Sequence, residues 1–199
     1  IPGLAEHFHV RIERLAQRLT LEVTPPPIAF ARWSFDEVEG DPALAHLYGL
    51  PMDRAELRTE ARHPASRAEG KWGRALRFDG TYSATVSLSG VPPDSPRTLA
   101  FWVRLPRDAP LTTGGAILAW KPKPPNRRSN SPVTVLGWNR LPGQGTIGAL
   151  RADRGPDAVV GTTSLRDGEW HHVAVTLLPA ARGGKQLHVR LYVDGRLEA

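Results

Sequence analysis

Between Leu76 and Val193 apolar and polar residues alternate one for one in short runs, and the runs stop at Pro, Gly or Asp-Gly. A period of two puts successive side chains on opposite faces, which is the geometry of a half-buried β-strand and of no helix. Leu76 and Phe78 precede Asp79-Gly80, and Tyr82, Ala84, Val86 and Leu88 then alternate with Thr81, Ser83, Thr85 and Ser87. That spacing predicts a hairpin around a glycine turn. Leu99, Phe101, Val103 and Leu105 alternate again, and residues 115–120, 133–138, 146–151 and 158–163 supply further short strands. The clearest pair is Val173, Val175 and Leu177 with Leu187, Val189, Leu191 and Val193, separated by Arg182-Gly183-Gly184. Many short strands with turns between them predict a two-sheet antiparallel sandwich, an all-β fold.

With 199 residues and 40% hydrophobic content, the chain suits one large β domain with a short appendage better than two cores. The 19 Gly and 19 Pro punctuate it without forming a low-complexity run. A net charge of +6 and a pI near 10.3 are compatible with an acidic partner. The basic residues form no long run, however, so an Arg-rich proteome is the plainer account and nucleic acid is a disfavoured partner. The absence of cysteine excludes disulfides and thiolate metal sites. No stretch approaches the ~20 apolar residues of a membrane-spanning helix. The chain begins at Ile1 and has one methionine, Met52, so the natural start, with any export signal or membrane anchor, is expected upstream. Asp194-Gly195 signals a tight turn, and Arg196-Leu197-Glu198 opens a returning strand, so the natural protein is expected to continue past residue 199.

Upstream, Leu4, Phe8, Ile12, Leu15 and Leu19 fall at helical steps, and one amphipathic helix is predicted there. Phe8, Val10, Ile12 and Leu19, Leu21, Val23 also alternate as strands, which is the rival reading. Thr24-Pro25-Pro26-Pro27 then forms a stiff connector, dividing an appendage over 1–27 from a sandwich over 28–199. Ala29, Ala31, Trp33 and Phe35 line one face of a first strand, which ends in an acidic turn over 36–41. Residues 42–69 are irregular, with a short helix expected near Ala43 to Leu47.

Four strings now stand in order: Ala31-Arg32-Trp33-Ser34-Phe35-Asp36-Glu37, Gly73-Arg74-Ala75-Leu76-Arg77-Phe78-Asp79-Gly80, Asp167-Gly168-Glu169-Trp170-His171-His172-Val173-Ala174-Val175 and Leu191-Tyr192-Val193-Asp194-Gly195, with Phe101-Trp102-Val103 between them. Together they resemble the markers of bacterial laminin-G-like jelly rolls, in the concanavalin-A-like lectin and glucanase superfamily. The resemblance covers residues 28 to 199 and departs at the end, where the family's closing acidic strands are absent. It implies a concanavalin-A-like jelly roll that binds carbohydrate or protein without catalysis, in an extracytoplasmic bacterial protein. Such domains often follow an anti-sigma-type regulator, a sialidase-like enzyme or a cytochrome-type module, and the first of these is the preferred neighbour. Trp33, Phe78, Trp102 and Trp170 are expected to fill the ~10 Å gap between the sheets.

A glucanase carries Glu-x-Asp-x-x-Glu on one strand, and the string does not occur; Glu39-Gly40-Asp41 begins like it but lacks the third carboxylate. His171 and His172 are adjacent on a strand and point to opposite faces, so they cannot share a metal. Asp36, Glu37, Glu39 and Asp41 crowd one turn with the oxygen ligands a structural Ca²⁺ takes. The most function-like segment is basic: Lys121, Lys123, Arg127 and Arg128 lie between Trp120 and Trp138-Asn139-Arg140. Aromatic faces stack on sugar rings and guanidinium groups pair with carboxylates or sulfates, so these eight residues are the expected ligand site, for a glycan or a protein surface. Exposure of Trp120 or Trp138 would favour a binding module; burial of both would favour a structural spacer or assembly domain.

Overall fold

The computed structural model describes residues 9–15, 18–24, 28–38, 43–59, 66–89, 96–112, 115–120, 133–179 and 187–199, and among them the fold is all-β. The strands are β1 (His9–Leu15), β2 (Arg18–Thr24), β3 (Phe30–Arg32), β4 (Ala43–Leu44), β5 (His46–Tyr48), β6 (Glu56–Thr59), β7 (Ser66–Glu69), β8 (Arg74–Arg77) and β9 (Ala84–Thr85). They continue as β10 (Arg97–Arg104), β11 (Ala116–Trp120), β12 (Thr134–Trp138), β13 (Ala149–Arg154), β14 (Asp157–Ser164), β15 (Trp170–Pro179), β16 (Leu187–Val193) and β17 (Arg196–Leu197). The chain forms two compact units, one of residues 1–68 and 74–90, the other of residues 69–73 and 91–199.

The second unit is the sandwich that the alternation predicts. One four-stranded sheet has the order β10-β15-β16-β17 and the other the order β11-β12-β13-β14, with every described pairing antiparallel. Leu136, Leu150 and Ala152 of the second sheet meet Val173, Val175, Leu177, Leu191 and Val193 of the first in one buried cluster, closed by Leu105 and Leu165. Leu99, Phe101 and Val103 pack on it from β10. Because Phe101 and Val103 point inward, Trp102 between them points outward, and on β15 the inward His171 and Val173 turn Trp170 and His172 out. Trp102 and Trp170 are therefore not plates of the inter-sheet gap, and Phe78, 53% exposed, is not one either. Strand parity overrode residue size: the β-branched and leucine positions already fill the core.

The first unit corrects two helix expectations. His9–Leu15 and Arg18–Thr24 pair as an antiparallel hairpin, with Val10 opposite Val23 and Ile12 opposite Leu21. The alternation of Val10, Ile12, Leu19, Leu21 and Val23 governs there, since pairing two such segments satisfies both backbones. Leu4, Phe8 and Pro25 to Pro27 lie outside the described residues. The short helix expected near Ala43 to Leu47 is likewise replaced by β4 and β5, which pair with β6 and β3. Phe30 stacks on Tyr48 across β3 and β5 at 5.7 Å.

Candidate ligand-binding face

On the outward side of β10 and β15, cross-strand register sets Trp102 opposite His172 and Arg104 opposite Trp170. The Trp102 and His172 rings lie 5.3 Å apart, and the Arg104 guanidinium sits 5.2 Å from the Trp170 ring centre. A second tryptophan joins from a turn: Trp72 meets Trp102 at 4.8 Å with the rings 86° apart. Lys71 places its ammonium 5.5 Å from the Trp102 ring centre. Trp102 is 36% exposed and Trp72 69%. Trp102 thus serves as the base of an aromatic corner, braced by His172, and Trp72 offers an open ring to solvent. Large open tryptophan surface costs free energy unless a ligand covers it, so this corner is the candidate site.

Beneath the face, His171 is held between two turns. Its Nδ1 lies 2.7 Å from Asp194 Oδ2 and its Nε2 3.0 Å from Asp167 Oδ2. Asp194 also accepts the His172 N–H at 2.8 Å, and Asp167 accepts that of Glu169 at 2.8 Å. The Asp-Gly markers of the two turns are thereby joined through one buried ring. Burial opposes the charge on His171, but the bonds to Asp194 and Asp167 outweigh it and raise its pKa above the ordinary value. The two carboxylates occupy opposite ring nitrogens, so the three groups do not converge on a point where a cation could sit.

Of the eight expected ligand residues, the four described ones each have contacts within the fold. Trp120 is half-buried, with the Arg97 guanidinium 4.2 Å from its ring centre. Trp138 is half-buried against the core cluster, its Nε1 enclosed. Asn139 is fully buried: its amide donates to the Thr146 carbonyl at 3.1 Å, and its Oδ1 accepts the Leu141 N–H at 3.2 Å, which folds the loop over 139–148 on itself. Arg140 lies across Gly115, where an added Cβ would meet its Nε at 2.6 Å. Lys121, Lys123, Arg127 and Arg128 lie outside the described residues. In the acidic turn, Asp36 accepts the Arg74 N–H at 2.8 Å, while Glu37 accepts the Leu44 N–H at 3.0 Å and pairs with the buried Arg67 at 3.3 Å. Both carboxylates thus have protein partners; Glu39 and Asp41 lie outside the described residues. The reading of the sequence missed Trp72, whose only signal is a tryptophan standing in a polar turn between Gly70 and Gly73.

The sandwich has a known counterpart. Residues 78–199 match the family model described as the concanavalin A-like lectin/glucanases superfamily, over more than half of the chain. The chain belongs to that superfamily. None of the curated proteins and none of the solved structures matches it. The match takes in both Asp-Gly turns that His171 joins, together with Trp102, Trp170 and His172, and stops short of Lys71 and Trp72. In this concanavalin-A-like domain the aromatic corner therefore combines superfamily strands with a turn outside the matched region. Among the described residues no helix is long and apolar enough to cross a membrane.

Proposed function

We propose that the chain is a non-catalytic carbohydrate-binding module, carried in a larger extracytoplasmic bacterial protein. The observation that supports it is the Trp72 ring, 69% exposed and set upright on Trp102. An indole face stacks on the C–H face of a sugar ring, and a platform held by its neighbours pays little ordering entropy on binding. Membership of a superfamily of lectins and glucanases favours a sugar over other ligands. The non-catalytic part rests on the carboxylates: the glucanase string is missing, and Asp167 and Asp194 are bonded to His171. The extracytoplasmic setting rests on the family resemblance alone.

A glycan-array screen of the 199-residue chain, beside Trp72→Ala, tests this. The expected result is selective binding that falls roughly tenfold or more in the variant, the loss of one stacked ring, with an unchanged melting temperature. Absence of binding to any glycan, or binding indifferent to Trp72, would favour the structural spacer.

A further inference from the structure

The aromatic corner lies on a sheet face whose described strand positions carry cations. The inward positions of β10, β15 and β16 are taken by Phe101, Val103, Val173, Val175, Leu191 and Val193, so the alternate positions form the opposite face. Those positions carry Arg104 on β10, His172 on β15, and His188 and Arg190 on β16, and none of them is Asp or Glu. Register sets Tyr192 opposite Ala174 and Arg190 opposite Thr176, beside the strand that sets His172 opposite Trp102. Strands lie ~4.8 Å apart, so the row that sets Trp102 opposite His172 continues just past the end of β16 to Asp194, whose Oδ1 accepts the His172 N–H, while Arg190 stands opposite Thr176, four residues along β15 from His172. Lys71 adds a cation at the Trp102 end.

We infer that this face selects a polyanionic polysaccharide, a chain with carboxylate or sulfate groups on its sugar rings. The inference rests on the carbohydrate-binding reading and deepens it. Trp72 stacks one sugar ring, Lys71 and Arg104 meet the anions of that ring and its neighbours, and Arg190 meets those of a ring several units along the chain. Guanidinium groups match carboxylate and sulfate geometry, and Arg104 is already oriented by the Trp170 ring. A neutral glycan would leave these cations without partners, and the carboxylate that lies in the Trp102 row, Asp194, is already taken up by His171 and the His172 N–H.

The test compares matched polymers by isothermal titration at two salt concentrations: polygalacturonate with its methyl ester, and dextran sulfate with dextran. The chain is used as it stands, alongside a Lys71→Gln, Arg104→Gln, Arg190→Gln variant and Trp72→Ala. The expected result is a preference of roughly tenfold or more for the charged member of at least one pair, lost in the triple variant and weakened by salt. The favoured pair tells carboxylate from sulfate. The melting temperature of the triple variant separates lost binding from lost folding. Equal binding to charged and neutral members, sensitive to Trp72→Ala, would overturn the anionic inference and leave the glycan reading standing. Binding to none of the four polymers would overturn both. Tighter binding to duplex DNA than to either polyanion, unaffected by Trp72→Ala, would replace the glycan with nucleic acid.

Discussion

A histidine enclosed between two aspartates gains from its proton what the same ring in water does not. The pKa of His171 is raised above 6.5, so its contribution to stability is complete below that pH and is lost as pH rises through the raised value. Asp167, stabilised chiefly by the Glu169 N–H, has its pKa lowered from 3.8, and so does Asp194, where the His171 and His172 bonds outweigh burial. Their contribution is present above 3.8 and is lost as pH falls. The clasp is therefore strongest between roughly pH 4 and 6.5. Urea unfolding at pH 5.5 and 8.5 is expected to show lower stability at the higher pH. His171→Asn should flatten that difference, since Asn takes no proton.

Strand parity assigns different work to neighbouring residues of one sheet. Leu191 on β16 is fully buried in the core cluster that both sheets share, whereas Trp102 on β10 faces outward. Leu191→Ala is expected to cost about 3 kcal/mol in denaturant unfolding, the sum of lost burial and the cavity left behind. Trp102→Ala should cost about 1 kcal/mol, since it forfeits ring contacts and little core, yet it removes the base of the Trp72 platform. Stability and glycan binding should thus separate between these two variants. A large stability loss in Trp102→Ala with glycan binding intact would reverse the assignment of the two faces.

Within the sandwich one carboxylate ties the two sheets together. Glu198, following β17 of one sheet, accepts hydrogen bonds from the backbone N–H and hydroxyl groups of Thr162 and Thr163 on β14 of the other. Partial burial works against its charge, but these four donors outweigh it and bring its pKa down from 4.5 to about 2. The bond across the sheets is therefore fully present above pH 4.5 and weakens as pH falls toward 2. Glu198→Gln is expected to cost about 2 kcal/mol at pH 7, read by chemical denaturation. The gap to the parent chain should narrow on acidification, because the parent then loses the same charge.

Alternation from Leu99 to Val193 was enough to predict the short antiparallel strands of the sandwich, because the period of two is local and needs no distant partner; the hairpin expected around Asp79-Gly80 does not form, since β8 pairs with β7 and β9 with β6, a choice of partner that alternation does not encode. The same parity already turns Trp102 and Trp170 away from Phe101 and Val173; assigning them to the core by size alone was the error. The first turns of the chain were ambiguous for a related reason, since Ile12 and Leu19 fit both periods, and pairing between β1 and β2 resolved it. Sequence spacing could not bring Trp72 to Trp102, thirty positions on, or place His171 between Asp167 and Asp194. Those meetings depend on which strands become neighbours and where each turn is carried by its sheet. Local residue patterns set which face of a strand is buried, and the chain's long-range crossings set which exposed groups stand together as a site.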